Sequence, residues 1–418
     1  MIKKPELLAP AGDLERLKYA LHYGADAVYL GGPMLGLRAN AINFTFDDIK
    51  EGSKFAHSLG KKIYVTVNIV LHNKEIKEVK NYLKELEKCE VDAIIVSDPA
   101  IIKLAKENTN LEIHLSTQAS IMNVEACKFY KELGVTRIVL AREMAKEEIK
   151  EIIDNVDIEI ECFIHGAMCS SISGRCVLSN FLTNRDSNRG GCSQICRWDF
   201  KLLDEQKKNI EGEKDFTLCA KDLSLLAYIK DMMDIGITSF KIEGRMRSIY
   251  YIATVVDIYR RVIDGYLKDS KYQYPKDYEK ILRNCANRDA VSQFFNEKND
   301  VDCQYYNGRE EISNQDFLGI VLNYDKENKL ATVEERNYFK KDDEVEIFGP
   351  NKEIISLKLN EIYDENDNLI EIVRHPRQVV KIRIDSQVEP YDLIRIKNKW
   401  ILSWQKKHLV VWFCSINE

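Results

Sequence analysis

The first 270 residues repeat one pattern, in which a short apolar run is followed by a polar turn and then by an amphipathic segment. The apolar runs have strand length, and the segments between them carry apolar residues at helical spacing. Strands that alternate with helices form parallel sheets, and eight of them can close into a TIM-like (β/α)8 barrel. We predict this α/β barrel over residues 1–270, with an open doubly wound sheet as the alternative. The predicted strands are residues 6–9, 27–30, 62–68, 93–97, 111–116, 137–140, 158–164 and 239–243.

The last two predicted strands lie much further apart than the other neighbouring strands. The chain between them carries a Cys-rich insertion, residues 165–220. Residues 271–303 are charged and mostly helical in pattern, which predicts a linker. Residues 304–418 contain short strand patterns without intervening helices, which predicts a small C-terminal antiparallel β-barrel or sandwich.

Cysteines are concentrated in the insertion. Of the 11 in the chain, Cys169, Cys176, Cys192 and Cys196 fall within 28 residues, and Cys219 follows. The N-terminus lacks the apolar stretch of a signal peptide, and no apolar run is long enough to span a membrane. We therefore expect a cytoplasmic protein with no membrane contact, whose thiols stay reduced. Metal binding or thiol chemistry explains the concentration better than disulfides.

The cysteine spacing is Cys-x6-Cys-x15-Cys-x3-Cys. Structural zinc sites favour two tight pairs of ligands, and only the second pair here is tight. An iron–sulfur cluster held by four cysteines tolerates more varied spacing. The spacing leaves three interpretations open, namely an iron–sulfur cluster, a zinc site, and thiol chemistry or simple burial.

A local excess of positive charge accompanies these cysteines. The whole chain has 61 Lys and Arg against 67 Asp and Glu, a net charge of −6, so it lacks a generally basic surface. The insertion nevertheless combines arginines with aromatic residues, as contact with a phosphate backbone would require. Compensation of an anionic thiolate cluster is the alternative explanation. The residues are Arg175, Arg185, Arg189, Arg197, Trp198 and Phe200.

Chemistry in such barrels takes place at the carboxyl ends of the strands. His165 and Glu243 are acid–base candidates there. Arginine forks suit carboxylates or phosphates, so Arg142 is a further catalytic candidate and Arg38 and Arg245 are binding candidates; structural ion pairs are the alternative. The remaining substrate-binding candidates are Glu6, Asn68, Gln118 and Lys241.

Residues 161–179 carry a specific signature. It reads Glu-x-Phe-x2-Gly-(Ser or Ala)-aliphatic-Cys-x4-Gly-x-Cys-x-aliphatic-Ser, where x is any residue. With this segment the chain resembles peptidase family U32, the collagenase-like proteases. Segments 6–12, 25–31, 116–120, 184–186 and 241–245 are also similar to that family. The matching signature residues are Glu161, Phe163, Gly166, Ala167, Met168, Cys169, Gly174, Cys176, Leu178 and Ser179.

The resemblance implies two kinds of activity. The family name implies a peptidase, which acts on collagen-like or other peptides. Residues 184–198 resemble instead the members that hydroxylate tRNA, forming 5-hydroxyuridine at the wobble position in a pathway that draws on prephenate. The resemblance to these members implies a [4Fe–4S] cluster on Cys169, Cys176 and Cys192. Its fourth ligand would be Cys196 or, as the alternative, Cys219. A zinc-stabilised RNA- or protein-binding module without catalysis is a third hypothesis.

Overall fold

The computed structural model describes residues 3–37, 43–210, 215–286, 288–296, 299–305 and 317–397. The chain forms two compact units, Met1–Ile312 and Ser313–Glu418. Residues 271–303, predicted as a linker, lie within the first unit.

The first unit is a closed barrel of eight parallel strands, which confirms the predicted fold. Each strand pairs with its neighbour along the chain, and β9 pairs with both β7 and β1, so the sheet closes on itself. This closure excludes the open doubly wound sheet. The barrel strands are β1 Glu6–Pro10, β2 Ala27–Gly31, β3 Lys62–Val67, β4 Ala93–Val96, β5 Glu112–Leu115, β6 Arg137–Val139, β7 Glu159–Gly166 and β9 Ser239–Ile242.

Two short strands outside the barrel were not predicted. β8 (Asp222–Ser224) runs antiparallel to the end of β7, and β10 (Ala290–Val291) pairs in parallel with β8. Their two or three residues give too short a pattern to identify in the sequence. Together they tie the chain after the barrel back to the carboxyl end of β7.

The helices between the strands begin at residues that cap them. Asp13, Asp98 and Asn123 accept hydrogen bonds from the first turns of their helices, and Thr45 forms a reciprocal capping box with Asp48. In the described ranges, no helix has both the length and the apolarity that a membrane span requires. The helices are α1 Leu14–His22, α2 Phe46–Ser58, α3 Asn73–Lys88, α4 Pro99–Asn108, α5 Val124–Glu132, α6 Lys146–Asn155, α7 Leu178–Thr183, α8 Ile229–Asp234, α9 Ile249–Lys268 and α10 Asp277–Ala286.

Charged side chains fill the amino-terminal half of the barrel interior. Arg137 contacts the Glu6 carboxylate at 2.5 Å and the Glu161 carboxylate at 3.2 Å. Lys241 contacts the other oxygen of Glu161 at 2.7 Å. The Tyr64 hydroxyl donates to Glu6 at 2.7 Å. These side chains come from β1, β3, β6, β7 and β9, so one network of charges links five strands.

This network is fully desolvated at its centre. Glu161 is 0% exposed. Burial by itself would raise its pKa, but Lys241, Arg137 and His114 outweigh burial and lower the pKa to about 2. Glu161 is therefore ionised in the folded protein, and its cationic partners compensate the buried charge.

The second unit is built from antiparallel strands, as the sequence predicts. Eight strands form one half-barrel sheet in the order β15-β14-β20-β11-β12-β19-β16-β17, and β13 pairs with β18. Alternate residues of these strands enclose an apolar core that includes Val333, Val345 and Val380. The strands are β11 Phe317–Asp325, β12 Leu330–Glu335, β13 Phe339–Lys340, β14 Glu344–Phe348, β15 Ile355–Lys358, β16 Ile362–Tyr363, β17 Leu369–Ile370, β18 Ile372–Val373, β19 Val379–Arg383 and β20 Leu393–Ile396.

Arg137→Met should destabilise the barrel by about 3–5 kcal/mol, because it leaves the buried Glu161 and the partly buried Glu6 carboxylates without their shared cation. Urea unfolding followed by circular dichroism measures the change. Lys150→Met is the matched control, because its ion pair with Asp154 is exposed and should contribute less than about 1 kcal/mol. Equal effects of the two substitutions would contradict a structural role for the interior network.

Candidate active site

A cavity of about 570 Å³ opens at the carboxyl end of the barrel. Its walls come from the ends of the strands and from the insertion between β7 and β9. The structure thus brings together most of the residues that the sequence singled out. The predicted residues that line the cavity are Asn68, Gln118, Arg142, Lys241, Glu243, Arg245, Cys169, Cys192 and Cys196.

The cavity is strongly cationic although the protein is acidic. Among the described residues, six Lys or Arg side chains line it, against two carboxylates, Glu143 and Glu243. A cleft with an excess of one charge concentrates ligands of the opposite charge. The cavity therefore suits an anionic ligand. The cationic residues are Arg142, Arg197, Lys241, Arg245, Arg247 and Arg288.

The floor of the cavity is continuous with the charged barrel interior. The Lys241 ammonium, paired with Glu161, lies 4.6 Å from the centre of the Tyr29 ring and 5.4 Å from that of Phe163. The Arg142 guanidinium stacks 3.6 Å from the centre of Phe163 and donates to the Ala167 carbonyl oxygen at 2.6 Å. Aromatic faces and fixed acceptors thus hold both cations in position.

On the opposite side, Arg245 is 7% exposed and donates to the Thr66 hydroxyl at 3.2 Å. The Tyr29 hydroxyl donates to the Glu243 carboxylate at 3.0 Å. Each of these charged groups therefore has a defined orientation at the cavity wall.

Three of the cationic residues were not among the predicted site residues. Arg247 and Arg288 each donate to one oxygen of the buried Asp222 carboxylate at 3.2 Å. Arg197 lies nearby, where burial and the charge of Arg288 lower its pKa. Arg197 was placed in the basic patch, but Arg288 lies in the segment predicted as a linker. The β8–β10 pairing and neighbouring contacts, such as that from the Gln293 side chain to the Lys221 carbonyl oxygen at 2.7 Å, bring that segment to the cavity, and no local sequence signal reports them.

The insertion is held against the barrel by specific polar contacts. The Glu143 carboxylate accepts from the Ser173 backbone N–H at 2.8 Å. Within the insertion, Asn188 donates to the Cys176 carbonyl oxygen at 2.9 Å, and the Ser193 N–H donates to the Ser179 hydroxyl at 3.0 Å. The loops that carry the cysteines are thereby fixed near one another.

The thiols divide between two faces of the insertion. Cys169, Cys192 and Cys196 line the main cavity, whereas Cys176 lines an adjoining depression with Ser170, Thr217 and Leu218. Cys219 is buried. It lies near Cys196, since the N–H of the preceding residue, Leu218, donates to the Cys196 carbonyl oxygen at 3.0 Å. Burial, followed by the Cys169 thiol, raises the pKa of Cys196.

The donor set suits a soft metal centre, since thiolates are the ligands that iron–sulfur clusters and structural zinc prefer. Within the part of the chain that the structure describes, however, no three His, Cys, Asp or Glu side chains are close enough to share one metal ion. The thiols of the insertion therefore fit such a centre in their chemistry, but the structure does not bring three of these described side chains within reach of one metal ion.

Two predicted catalytic or binding residues lie elsewhere. Glu6 is the first residue of β1, so it lies at the amino end of the barrel and belongs to the interior network rather than to the substrate-binding surface. His165 is 2% exposed and packs between the rings of Tyr251 and Tyr259. Burial and the charge of Arg247 lower its pKa to about 3, so it is neutral and enclosed. Arg38 lies outside the described residues.

Gly166 permits the close approach of β7 to the end of β9. Its φ is 115°, and a Cβ there would overlap the Glu243 carbonyl oxygen. Gly166→Ala should cost about 1–3 kcal/mol in backbone strain plus the displacement of Glu243. Gly60→Ala is the control, because Gly60 also has positive φ, 67°, but nothing within 4 Å. A urea midpoint that falls no further in Gly166→Ala than in Gly60→Ala would refute the close-approach explanation.

Comparisons with known proteins give one consistent family. The model of peptidase family U32 matches residues 12–304, and that of the peptidase family U32 C-terminal domain matches residues 313–395. The tRNA hydroxylation protein P1 of Bacillus subtilis is 49% identical, covering 94% of this chain and 95% of that protein.

Two further relatives carry different names. The tRNA hydroxylation protein P of Escherichia coli is 35% identical over 83% of this chain and 86% of its own length. A collagenase of Porphyromonas gingivalis is 31% identical over 93% of this chain and 96% of its own length. Both units of the chain are thus accounted for by one family: the chain belongs to peptidase family U32.

Proposed function

We propose that this chain is an RNA-modifying enzyme that hydroxylates uridine in tRNA, forming 5-hydroxyuridine at the wobble position. The observation that carries the proposal is the cationic, thiol-lined cavity at the barrel mouth of an acidic protein. Relatives named as tRNA hydroxylation proteins, which match over most of both chains, support it. An RNA substrate agrees with the cytoplasmic location that the sequence predicts.

The cavity offers recognition groups for an extruded uridine. Enzymes that modify a base hold it in a pocket and read its Watson–Crick edge. Asn68 is 8% exposed and donates through its side-chain nitrogen to Ser116, while its Oδ1 atom has no hydrogen-bond partner among the described residues. This buried acceptor would take the N3–H of uracil, and Gln118 would serve the neighbouring carbonyl oxygen.

The charged residues have separable roles in this proposal. Replacement of C5–H by C5–OH is a two-electron oxidation: written with water as the oxygen source, it passes two electrons to an external acceptor and releases two protons, one of them from C5. Glu243, held by Tyr29, is the candidate base for that proton. Arg142 and Arg245 would bind anionic groups, either an RNA phosphate or the carboxylates of prephenate, the co-substrate that the resemblance implies.

We propose that Cys169, Cys176 and Cys192 hold a [4Fe–4S] cluster. Cys196 is the proposed fourth ligand, and Cys219, buried beside it, is the alternative. When bound, the cluster would supply one-electron transfer next to the cavity. Zinc on the same thiols is the alternative metal.

Peptide hydrolysis is the second candidate, favoured by the similarity to a collagenase. A cysteine peptidase pairs its thiol with a histidine. Here the Cys169 sulfur contacts the Ser171 hydroxyl at 3.1 Å, whereas His165 contacts Tyr259. This geometry argues against a peptidase that uses a Cys169–His165 pair. Peptide cleavage by rigorously purified protein that survives the double substitution Cys169→Ala and Cys176→Ala would reverse the preference.

Deletion of the gene should remove most 5-hydroxyuridine from bulk tRNA, measured by nucleoside mass spectrometry. The wild-type gene should restore the nucleoside, and Cys169→Ser should not, because it removes a proposed cluster ligand. Cys303→Ser is the matched control, since this partly exposed thiol lies outside the insertion. An unchanged nucleoside pool in a strain without a second homologue would overturn the proposed function.

Protein purified without oxygen should be brown and contain about four iron and four sulfide per chain. The Cys196→Ser and Cys219→Ser variants identify the fourth ligand. Only the variant that lacks the true ligand should lose most of its iron. Colourless protein with stoichiometric zinc would refute the cluster while leaving RNA binding open.

A further inference from the structure

A short helix in the insertion exposes large apolar side chains to solvent. Phe181 on α7 is 83% exposed, Leu182 is 55% exposed, and Val177 at the helix start is 54% exposed. We call these three residues the α7 apolar face. Exposure of this extent is unfavourable unless the surface has a binding partner.

The orientation of this face follows from the helix contacts. Ser179 is buried and accepts from the Ser193 N–H, and the Thr183 hydroxyl contacts the Ser193 hydroxyl at 3.0 Å. Residues four apart share one side of a helix, so Ser179 and Thr183 form the attached side. Val177 and Phe181, also four apart, lie on a different side. The aromatic ring is therefore held outward by a helix that is fixed to the Cys192 loop.

Positive charge flanks the α7 apolar face. Arg175 and Arg185 are exposed, and neither side chain makes an ion pair or hydrogen bond to another described residue. The other arginines of the insertion are engaged, for example Arg189 with Glu75 at 2.8 Å. An exposed aromatic ring with unpaired guanidinium groups six residues before it and four residues after it in the chain is complementary to a nucleotide, which has a flat base and an anionic phosphate.

The face also lies close to the cavity. The Ser187 N–H contacts the Asn180 side chain of α7 at 3.4 Å, and Ser187 itself lines the cavity. When one nucleotide is extruded into a pocket, its neighbours lose a stacking partner. Because α7 contacts a residue that lines the cavity, an exposed ring on this helix can stack on such a neighbour.

We propose that the α7 apolar face is a stacking platform for an unpaired nucleotide adjacent to the one in the cavity, with Arg175 and Arg185 on its phosphates. This inference rests on the proposed function. It adds a position at which the RNA strand leaves the cavity. RNA is favoured over a protein partner because the flanking charges are both positive and unpaired.

Fluorescence anisotropy with the full chain tests the platform directly. The probe is a short labelled oligouridine, compared with a labelled duplex of the same length. Phe181→Ala should weaken binding of the single strand by about 5- to 150-fold, the range for loss of one base–aromatic stack. Phe181→Tyr should restore binding to within about twofold, because it retains the ring. Duplex binding should change little in both variants.

Phe129→Ala is the matched control, because Phe129 is 54% exposed on α5 of the barrel. Unchanged thermal unfolding of Phe181→Ala shows that the fold is intact. Equal single-strand affinity of the wild type and Phe181→Ala would overturn the platform. If Phe181→Ala instead abolishes concentration-dependent self-association in size-exclusion chromatography and leaves RNA affinity unchanged, the face is an interface between copies of the chain and the platform is likewise overturned. Wild-type protein that binds no RNA would contradict the proposed function itself.

Discussion

The buried ion pair between Arg137 and Glu161 is the interaction on which the barrel depends. TIM barrels are usually filled by layers of branched aliphatic side chains. Here a carboxylate with no exposed surface occupies the interior and must be neutralised, because an isolated buried charge is prohibitively costly. Arg137 and Lys241 provide that neutralisation from two different strands. Closure of the barrel and placement of these charges therefore require each other.

The same network determines the chemistry of the cavity floor. Lys241 pairs with Glu161 on one side and lines the cavity on the other. Its ammonium is thus held at a fixed position, supported by the Tyr29 and Phe163 rings. A cation that is oriented before a ligand arrives costs no reorganisation when it binds. The interior of the barrel in this way prepares the site for an anionic ligand.

The insertion between β7 and β9 supplies what the barrel lacks. It brings Cys169, Cys192, Cys196 and Arg197 to the cavity and exposes an aromatic ring on α7, and Glu143 anchors it through Ser173. Its irregular loops are determined by side-chain to backbone contacts rather than by helix or strand periodicity. For this reason the cysteines and arginines of the insertion could be identified from the sequence, whereas the path of its loops could not be predicted.

The sequence by itself determined the barrel, the antiparallel C-terminal unit and the cysteine-rich insertion, because strand and helix periodicity and residue clustering are local properties. Most of the site residues predicted from the sequence line the cavity, since the carboxyl ends of parallel strands must meet. Only the tertiary structure decided that Glu6 faces the amino end of the barrel, that His165 is enclosed by tyrosines, and that Arg288 reaches the cavity. Each of these depends on which end or side of an element a residue occupies after packing against distant parts of the chain, and sequence spacing does not contain that information.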